Sequence, residues 1–384
     1  MEPKDPQSRK EYRHRNHQLT RNTALTASPN RLKKGNAAAR LLSLIAVISV
    51  SFVVAYGAHV YFSAMSSAGK AYQQGGQVSA KISQKQPVSV LILGVDQGIE
   101  GWHDQGNSDT MILATANPAK KSATMTSIPR DLLTDVKGDD GKYFLFRVNS
   151  AYQVGGNQAS VKTVEALLNT PVDYYMEVNM QALESLVDAV GGVTVNVPFA
   201  FTYNTTFHKG EMHLNGKEAL DYARMRKEDP RGDYGRQLRQ RQIIEAIVHE
   251  AMSLKTLSNY RRILNVFSKY VKTNMTFSDM MNVALNYRDC AKNLKSGYIQ
   301  GHDAWIGGAA IQVASTKELQ RVSDLTRGNL GLPRQTLSNE ETRQNHLNSV
   351  HAHLDWKDPN AFTNYVIYQK DSDTQAWQGG GDGQ

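Results

Sequence analysis

The sequence beyond residue 87 alternates short apolar runs with segments of helical period. VSVLILGV (88–95) is almost wholly apolar and rich in β-branched and leucine residues, which predicts a strand buried on both faces. TMILATANP (110–118) and SATMTSIP (122–129) follow as two further strands across short connections. SVKTVEALLN (160–169) reads as helix and DYYMEV (173–178) as strand. In NMQALESLVDAVGG (179–192), Leu183, Leu186, Val187 and Val190 share one helical face, with Asn179 to cap the start and Gly191-Gly192 the end. VTVNVP (193–198) returns as strand. A helix is predicted from Tyr234 to about Met252, with Ile243, Ile244 and Ile247 as its apolar stripe. Amphipathic helices near 256–270 and 276–290, a strand at AAIQVA (309–314) and a helix at STKELQRVSDL (315–325) complete the pattern. Strands alternating with helices predict an α/β (α+β) domain, a central sheet flanked by helices.

A different pattern precedes this one. LLSLIAVISVSFVVAYGAHVYFSAM, Leu41 to Met65, carries no acidic or basic side chain. As a helix it exceeds the ~30 Å hydrocarbon core, which predicts a transmembrane signal-anchor. A cleaved signal peptide would have a shorter apolar stretch and would not follow a long polar tail. That tail, 1–40, holds ten basic and three acidic residues. Positive residues beside a first span stay in the cytoplasm, so the C-terminal bulk is expected outside the membrane. The chain carries a net charge of +8, yet beyond residue 40 it has 34 basic and 33 acidic residues. The charge is therefore a topology signal and does not predict a nucleic-acid partner. Residues 66–86 are small and polar and read as an extracellular linker, 87–335 as the globular domain, and 336–384 as a polar, disordered tail ending in GGGDGQ. His346, His351 and His353 in that tail lack partners at metal spacing and read as solvated. Cys290 is the sole cysteine, which excludes an intrachain disulfide, and its surroundings read as an ordinary helix with a semi-buried thiol. Phosphate-loop, nucleophile-elbow and H-E-x-x-H signatures are missing.

The chemistry concentrates in YARMRKEDPRGDYGRQLRQRQ (222–242), with six arginines and a lysine. Pro230 and Gly232 interrupt it, so it is not a continuous DNA-reading helix. Arg224 and Arg226 share a side if their segment is extended. Counting back by three and four from the stripe of the following helix gives Gln240 and then Arg236, so these two are aimed at the interior. Arg239 and Arg241 fall elsewhere on the wheel and read as solvated. Arg224, Arg226 and Arg236 either form a phosphate cluster or pair structurally with Glu228, Asp229 and Asp233. Asp96, ending the first strand, and Asp109, opening the second, either share a Mg2+ with substrate phosphate or cap turns. Arg130 in SIPRDL adds a charge after a rigid proline, or pairs with Asp131 at the surface.

LILGVD, SDTMILA, SIPRDL, VNSAYQVGG, VDAVGGVTV, LNGKEALDYARMRKEDP and GDYGRQLRQRQ occur in that order across residues 88–250. Together they resemble the LytR–CpsA–Psr family of membrane-anchored phosphotransferases. The resemblance implies transfer of a glycopolymer, a wall teichoic acid or capsular polysaccharide, from an undecaprenyl-pyrophosphate carrier to peptidoglycan. It implies a hydrophobic tunnel beside an arginine-lined pyrophosphate site with Mg2+, for which Mn2+ is a substitute. By motif, Asp96 and Asp109 become metal ligands, and Arg130, Arg224, Arg226, Arg236 and Gln240 hold the pyrophosphate. Arg224 and Arg226 act at the reacting phosphate, and Asp233 is the candidate for activating the acceptor hydroxyl. The family commonly has Arg-Ser-Asp where this chain has Asn107-Ser108-Asp109, so Asn107 offers hydrogen bonds without charge. Two rival readings are a polyprenyl-pyrophosphate hydrolase using water as acceptor, and a membrane-bound transcriptional attenuator.

Overall fold

The structure is a computed structural model that describes residues 76–95, 106–138, 143–251, 270–275, parts of 279–290, 293–370 and 372–376. The anticipated membrane span and Asp96 lie outside the described residues. Among the described residues, no helix is long and apolar enough to cross a membrane.

A short helix, α1 (Gly76–Ser83), precedes the first strand. It corrects the expectation of a linker through 86: Ile82 is fully buried, and Lys81 donates to Asp173 at 2.7 Å. Strand β1 (Val88–Val95) then pairs antiparallel with β2 (Ser108–Asn117), which pairs antiparallel with β3 (Ser122–Ile128). An unanticipated hairpin follows, β4 (Leu133–Lys137) with β5 (Tyr143–Arg147), and then α2 (Ser150–Leu168), kinked at Gly155 and Gly156. Strand β6 (Tyr174–Asn179) lies parallel to β1. Helix α3 (Met180–Val190) is capped as its sequence dictates: Asn179 accepts from the Ala182 N–H, and Gly191 takes a left-handed conformation (φ 90°). Strand β7 (Val193–Val197), a two-residue hairpin β8 (Phe201–Thr202) and β9 (Thr206–Phe207), and β10 (Gly210–Leu214), which pairs with β7, lead to α4 (Gly216–Arg224) and α5 (Asp233–Ala251). Strands β11 (Val271–Thr273) and β12 (Asn293–Tyr298) fill the two edges of a six-stranded sheet, ordered β11-β6-β1-β2-β3-β12. The hairpin β13 (His302–Ile306) and β14 (Ala309–Val313), then α6 (Thr316–Asn329) and α7 (Glu340–His351), complete the described elements with a short 3-10 turn at Pro359–Asn364.

The apolar run in β1 serves both faces of the sheet. Val88, Val90 and Ile92 join a core formed with α3, α4 and α5, which includes Val187, Tyr222, Ile243 and Ile247. Leu91, Leu93 and Val95 point the other way, to a core with Val164 and Leu167 of α2 and Leu319 and Val322 of α6. Strands β1, β3 and β6 end at one edge of the sheet, where β2 begins. Crevices beyond strand ends are where open α/β sheets bind ligands.

The C-terminal segment corrects the expectation of a disordered tail. Helix α7 starts with a capping box at Asn339 and Thr342, and Leu354, Phe362 and Tyr365 join Ala304, Ile306, Ile311 and Val313 in a third core. Buried amides hold the irregular chain that follows. Gln344 accepts from the Tyr368 N–H and donates to the Tyr368 carbonyl; Asn348 does the same for Val366. The segment looked too polar to fold because its polar side chains replace the missing backbone ladder. His346, His351 and His353 are exposed.

Candidate active site

Asp109, second residue of β2, and Arg130, just beyond the end of β3, meet at the sheet edge described above. Arg130 Nη1 donates to Asp109 Oδ2 at 2.9 Å, and its Nε lies 3.4 Å from Asp131 Oδ2. Burial alone would lower the Arg130 guanidinium, but the Asp109, Asp131 and Asp233 carboxylates outweigh it and raise it. Arg147, the last residue of β5, reaches the other oxygen of Asp131 at 3.6 Å and keeps a buried Nε without a hydrogen-bond partner. Sequence reasoning missed this cation, although it directly precedes the VNSAYQVGG block.

The first turn of α5 supplies the opposing wall. Asp233 Oδ2 accepts from Gln237 at 2.9 Å. Its Oδ1 lies 2.7 Å from Arg236 Nη2 and 3.9 Å from Arg226 Nε. The Asp233–Arg236 approach is close but misaligned, since Asp233 Oδ1 and the Nε and Nη2 of Arg236 make no hydrogen bond. Burial lowers the Arg236 guanidinium below its ordinary value; Asp233 and Asp109 oppose this, while Arg130 and Arg226 add to it. Those couplings place Arg130, Arg226, Arg236, Asp109 and Asp233 within one electrostatic cluster. Buried, misaligned donors among excess cations are suited to a multivalent anion.

An interior cleft of about 330 Å³ opens at this cluster. Its charged wall is Asp109, Arg224 and Arg236, with the Gln240 amide beside them. The rest is mainly apolar, with Ile92 and Val178 from the sheet, Leu183 and Leu186 from α3, and Ile243 and Ile247 from α5, interrupted by Thr110 and Asn179. Arg236 and Gln240 face the interior, as the helical wheel predicts, and continue the stripe of Ile243, Ile244 and Ile247 that lines the cleft. Tyr203, half exposed between β8 and β9, also borders it.

Three expectations change. Arg224 is not on an extended segment; it is the last residue of α4, whose start is fixed by an Asn215–Glu218 capping box. Arg239 is not solvated. It is fully buried, donating to the carbonyls of Tyr222 (3.0 Å) and Met225 and to Asp229. Its guanidinium also lies over the rings of Phe201 and Tyr222. Arg241 is buried as well, with Nη1 donating to Ser127 at 2.5 Å. Both readings failed because the helix packs on two sides, against the α4 end and against β3. Asp229 belongs to this support: burial would raise its carboxyl, but hydrogen bonds from Arg231 and Arg239 hold it below the usual range. Asn107 is half-buried at the start of β2, with Oδ1 unpartnered, and does not line the cleft. Cys290 is fully buried, which pushes its thiol up to about 12 and removes it as a nucleophile.

The donors fit a divalent cation only in one way. Among the described residues no group of three His, Cys, Asp or Glu could hold a metal. Asp109 is the described carboxylate on the cleft wall, which suits a hard cation that completes its shell from phosphate oxygens and water.

The sequence profile of the LytR_cpsA_psr family matches residues 55–328. The chain is similar to "Polyisoprenyl-teichoic acid--peptidoglycan teichoic acid transferase TagU" of Enterococcus faecalis, at 39% identity over 295 residues, covering 76% of this chain and 96% of that one. A solved structure of a Streptococcus agalactiae protein superposes with a TM-score of 0.65 at 34% identity, covering 71% of this chain and 98% of that one. A solved TagT bound to LIIa-WTA superposes with a TM-score of 0.55 at 28% identity, covering 69% and 95%. An apolar cleft ending in an arginine–carboxylate cluster, the ordered motifs and these matches agree: the chain belongs to the LytR–CpsA–Psr family.

Proposed function

We propose that the chain transfers a glycopolymer, as its phosphate, from an undecaprenyl-pyrophosphate carrier to a hydroxyl of peptidoglycan. The carrying observation is the cleft itself, an apolar interior that ends in Arg224, Arg236, Gln240 and Asp109. Few metabolites join a long hydrocarbon to a pyrophosphate, and this cleft has a wall for each part. The TagU relative is named for this transfer from a polyisoprenyl carrier, which supports the reading. The cell membrane is the proposed location, with residues 1–40 in the cytoplasm and the catalytic domain outside.

The acceptor oxygen attacks the phosphorus that carries the saccharide. The bond from that phosphorus to the bridging oxygen breaks, and polyprenyl phosphate leaves. Arg226 and Arg236 stabilise the charge developing on the transferred group, and Arg130 and Arg224 hold the leaving phosphate. Asp233 accepts the hydroxyl proton. Two guanidiniums flank its Oδ1, and they must turn toward phosphate before that oxygen can act as base. Mg2+, held by Asp109 and Asp96, would neutralise pyrophosphate charge.

The test incubates the full-length chain in detergent with a polyprenyl-pyrophosphate-linked saccharide, Mg2+ and peptidoglycan oligomers. Mass spectrometry should find saccharide phosphate covalently attached to the glycan, with attachment lost in Asp109→Ala and after chelation. Free saccharide phosphate as the sole product would overturn the transferase reading in favour of hydrolysis.

A further inference from the structure

We propose that the outward face of the β13–β14 hairpin is a sugar subsite that seats the acceptor glycan, with Trp305 as its platform. This rests on the transferase reading and adds an acceptor-binding surface to it. The hairpin has two faces of opposite character. Ala304, Ile306, Ile311 and Val313 point inward to the third core. Cross-strand partners share a face, so Trp305 opposite Ala310 and Asp303 opposite Gln312 together make the outward one.

Trp305 is 62% exposed. Tryptophan is mostly buried in folded proteins, and when its ring lies open it offers a large, rigid apolar plate. The other described tryptophan, Trp356, packs on Phe362 and donates to Ser349. Among the described residues no aromatic ring pairs with Trp305. Its cross-strand neighbour, Ala310, is small and exposed. About 7 Å along the strand, Gln312 accepts from the Tyr234 hydroxyl and donates to Asp303 at 3.0 Å, and the exposed Asp303 carboxylate keeps acceptors for hydroxyl groups. An indole plate beside an amide–carboxylate pair matches a pyranose, which has an apolar C–H face and an equatorial ring of hydroxyls.

Position selects the acceptor over the donor. The Gln312 N–H donates to the Asp131 carbonyl at 2.7 Å, one residue after Arg130. Gly301, at the base of β13, donates its N–H to the Tyr234 hydroxyl at 2.7 Å, one residue after Asp233. The hairpin is thus tied to both walls of the charged cluster. None of its residues lines the apolar cleft. In an in-line displacement the acceptor enters opposite the leaving group. With prenyl phosphate leaving into the cleft, the open side holds Asp233, Tyr234 and the hairpin.

The test uses the full-length protein in detergent with the donor above and uncrosslinked glycan oligomers. Trp305→Ala should raise the acceptor KM about tenfold, while kcat and the donor KM stay within about twofold. Trp305→Phe should restore most of the loss. Independently of turnover, glycan oligomers should protect fluorescence from acrylamide quenching in the wild type, and the protected fraction should vanish in Trp305→Phe. An unchanged acceptor KM, a rise confined to the donor KM, or a parallel loss of activity and melting temperature would each overturn the subsite. If the wild type transfers nothing, the transferase reading fails, and the quenching comparison still decides whether sugar binds at Trp305.

Discussion

Arg236 is buried, charged and poorly bonded, a combination that costs stability unless a ligand uses it. Its closest neighbour, Asp233, satisfies it by distance and not by direction. Arg236→Ala should therefore lower kcat by roughly 10²–10³, the cost of removing one preorganised charge donor. Its melting temperature should change little, because Gln237 and Arg226 still accompany Asp233. Steady-state kinetics with a thermal melt checks both statements. Arg226 has a half-exposed side chain, and Arg226→Ala should lose transfer with no loss of fold at all. The converse experiment concerns Asn107. Asn107→Arg restores the charge that the family commonly places there and should lower the donor KM severalfold, as one added charge-assisted hydrogen bond would. Titrating donor against wild type and variant decides it.

At the level of elements, the working arginines depend on one that does no chemistry. Arg239 ties α5 to the end of α4 through two carbonyls and Asp229, and so sets where Arg224 and Arg226 emerge. Asp229 in turn caps its own loop through Arg231, and Gly235 fits against its carboxylate so closely that a Cβ would lie 1.9 Å from Oδ2. Arg239→Met removes the fully buried partner of Asp229 and the donor to the Tyr222 and Met225 carbonyls, and should cost about 3–5 kcal/mol in denaturant unfolding. Arg231→Ala removes a partner whose side chain is 46% exposed, and should cost no more than about 1 kcal/mol. Equal effects of the two substitutions would refute this division of labour.

On the scale of the whole molecule, the C-terminal segment acts as a clasp over the β13–β14 hairpin. Its α7 buries Glu341, which accepts from the Thr134 hydroxyl and the Asp135 N–H. Burial raises the Glu341 carboxyl above its ordinary value, although those two hydrogen bonds pull it back. The sign follows from proton linkage. Between the unfolded and folded pKa values the native state binds more protons, so this group makes stability fall as pH rises above about 4.5. Glu341→Gln removes the titration and keeps an acceptor oxygen. Stability of the variant should decline less from pH 5 to pH 7 than that of the wild type, measured by denaturant unfolding across that range. Deleting residues 330–384 should have a larger effect, because it uncovers the inner face of the hairpin.

Local sequence determined what depends on neighbours along the chain. The unbroken apolar run of β1 required two buried faces, Asn179 and Gly191 bounded α3, and the stripe of Ile243 and Ile247 pointed Arg236 and Gln240 inward. The ordered motifs identified the family. Only the tertiary structure decided the fate of Arg239, whose partners at Tyr222, Met225 and Asp229 lie on another element, and that of Arg241, whose partner Ser127 lies 114 residues away. The same holds for Gln344 and Asn348, which look like solvent-facing residues until they meet the backbone of Tyr368 and Val366. Hydrophobic periodicity records which side chains leave water for a core. It carries no record of a polar side chain that leaves water for a distant carbonyl or amide, because that exchange depends on a partner that folding alone brings near.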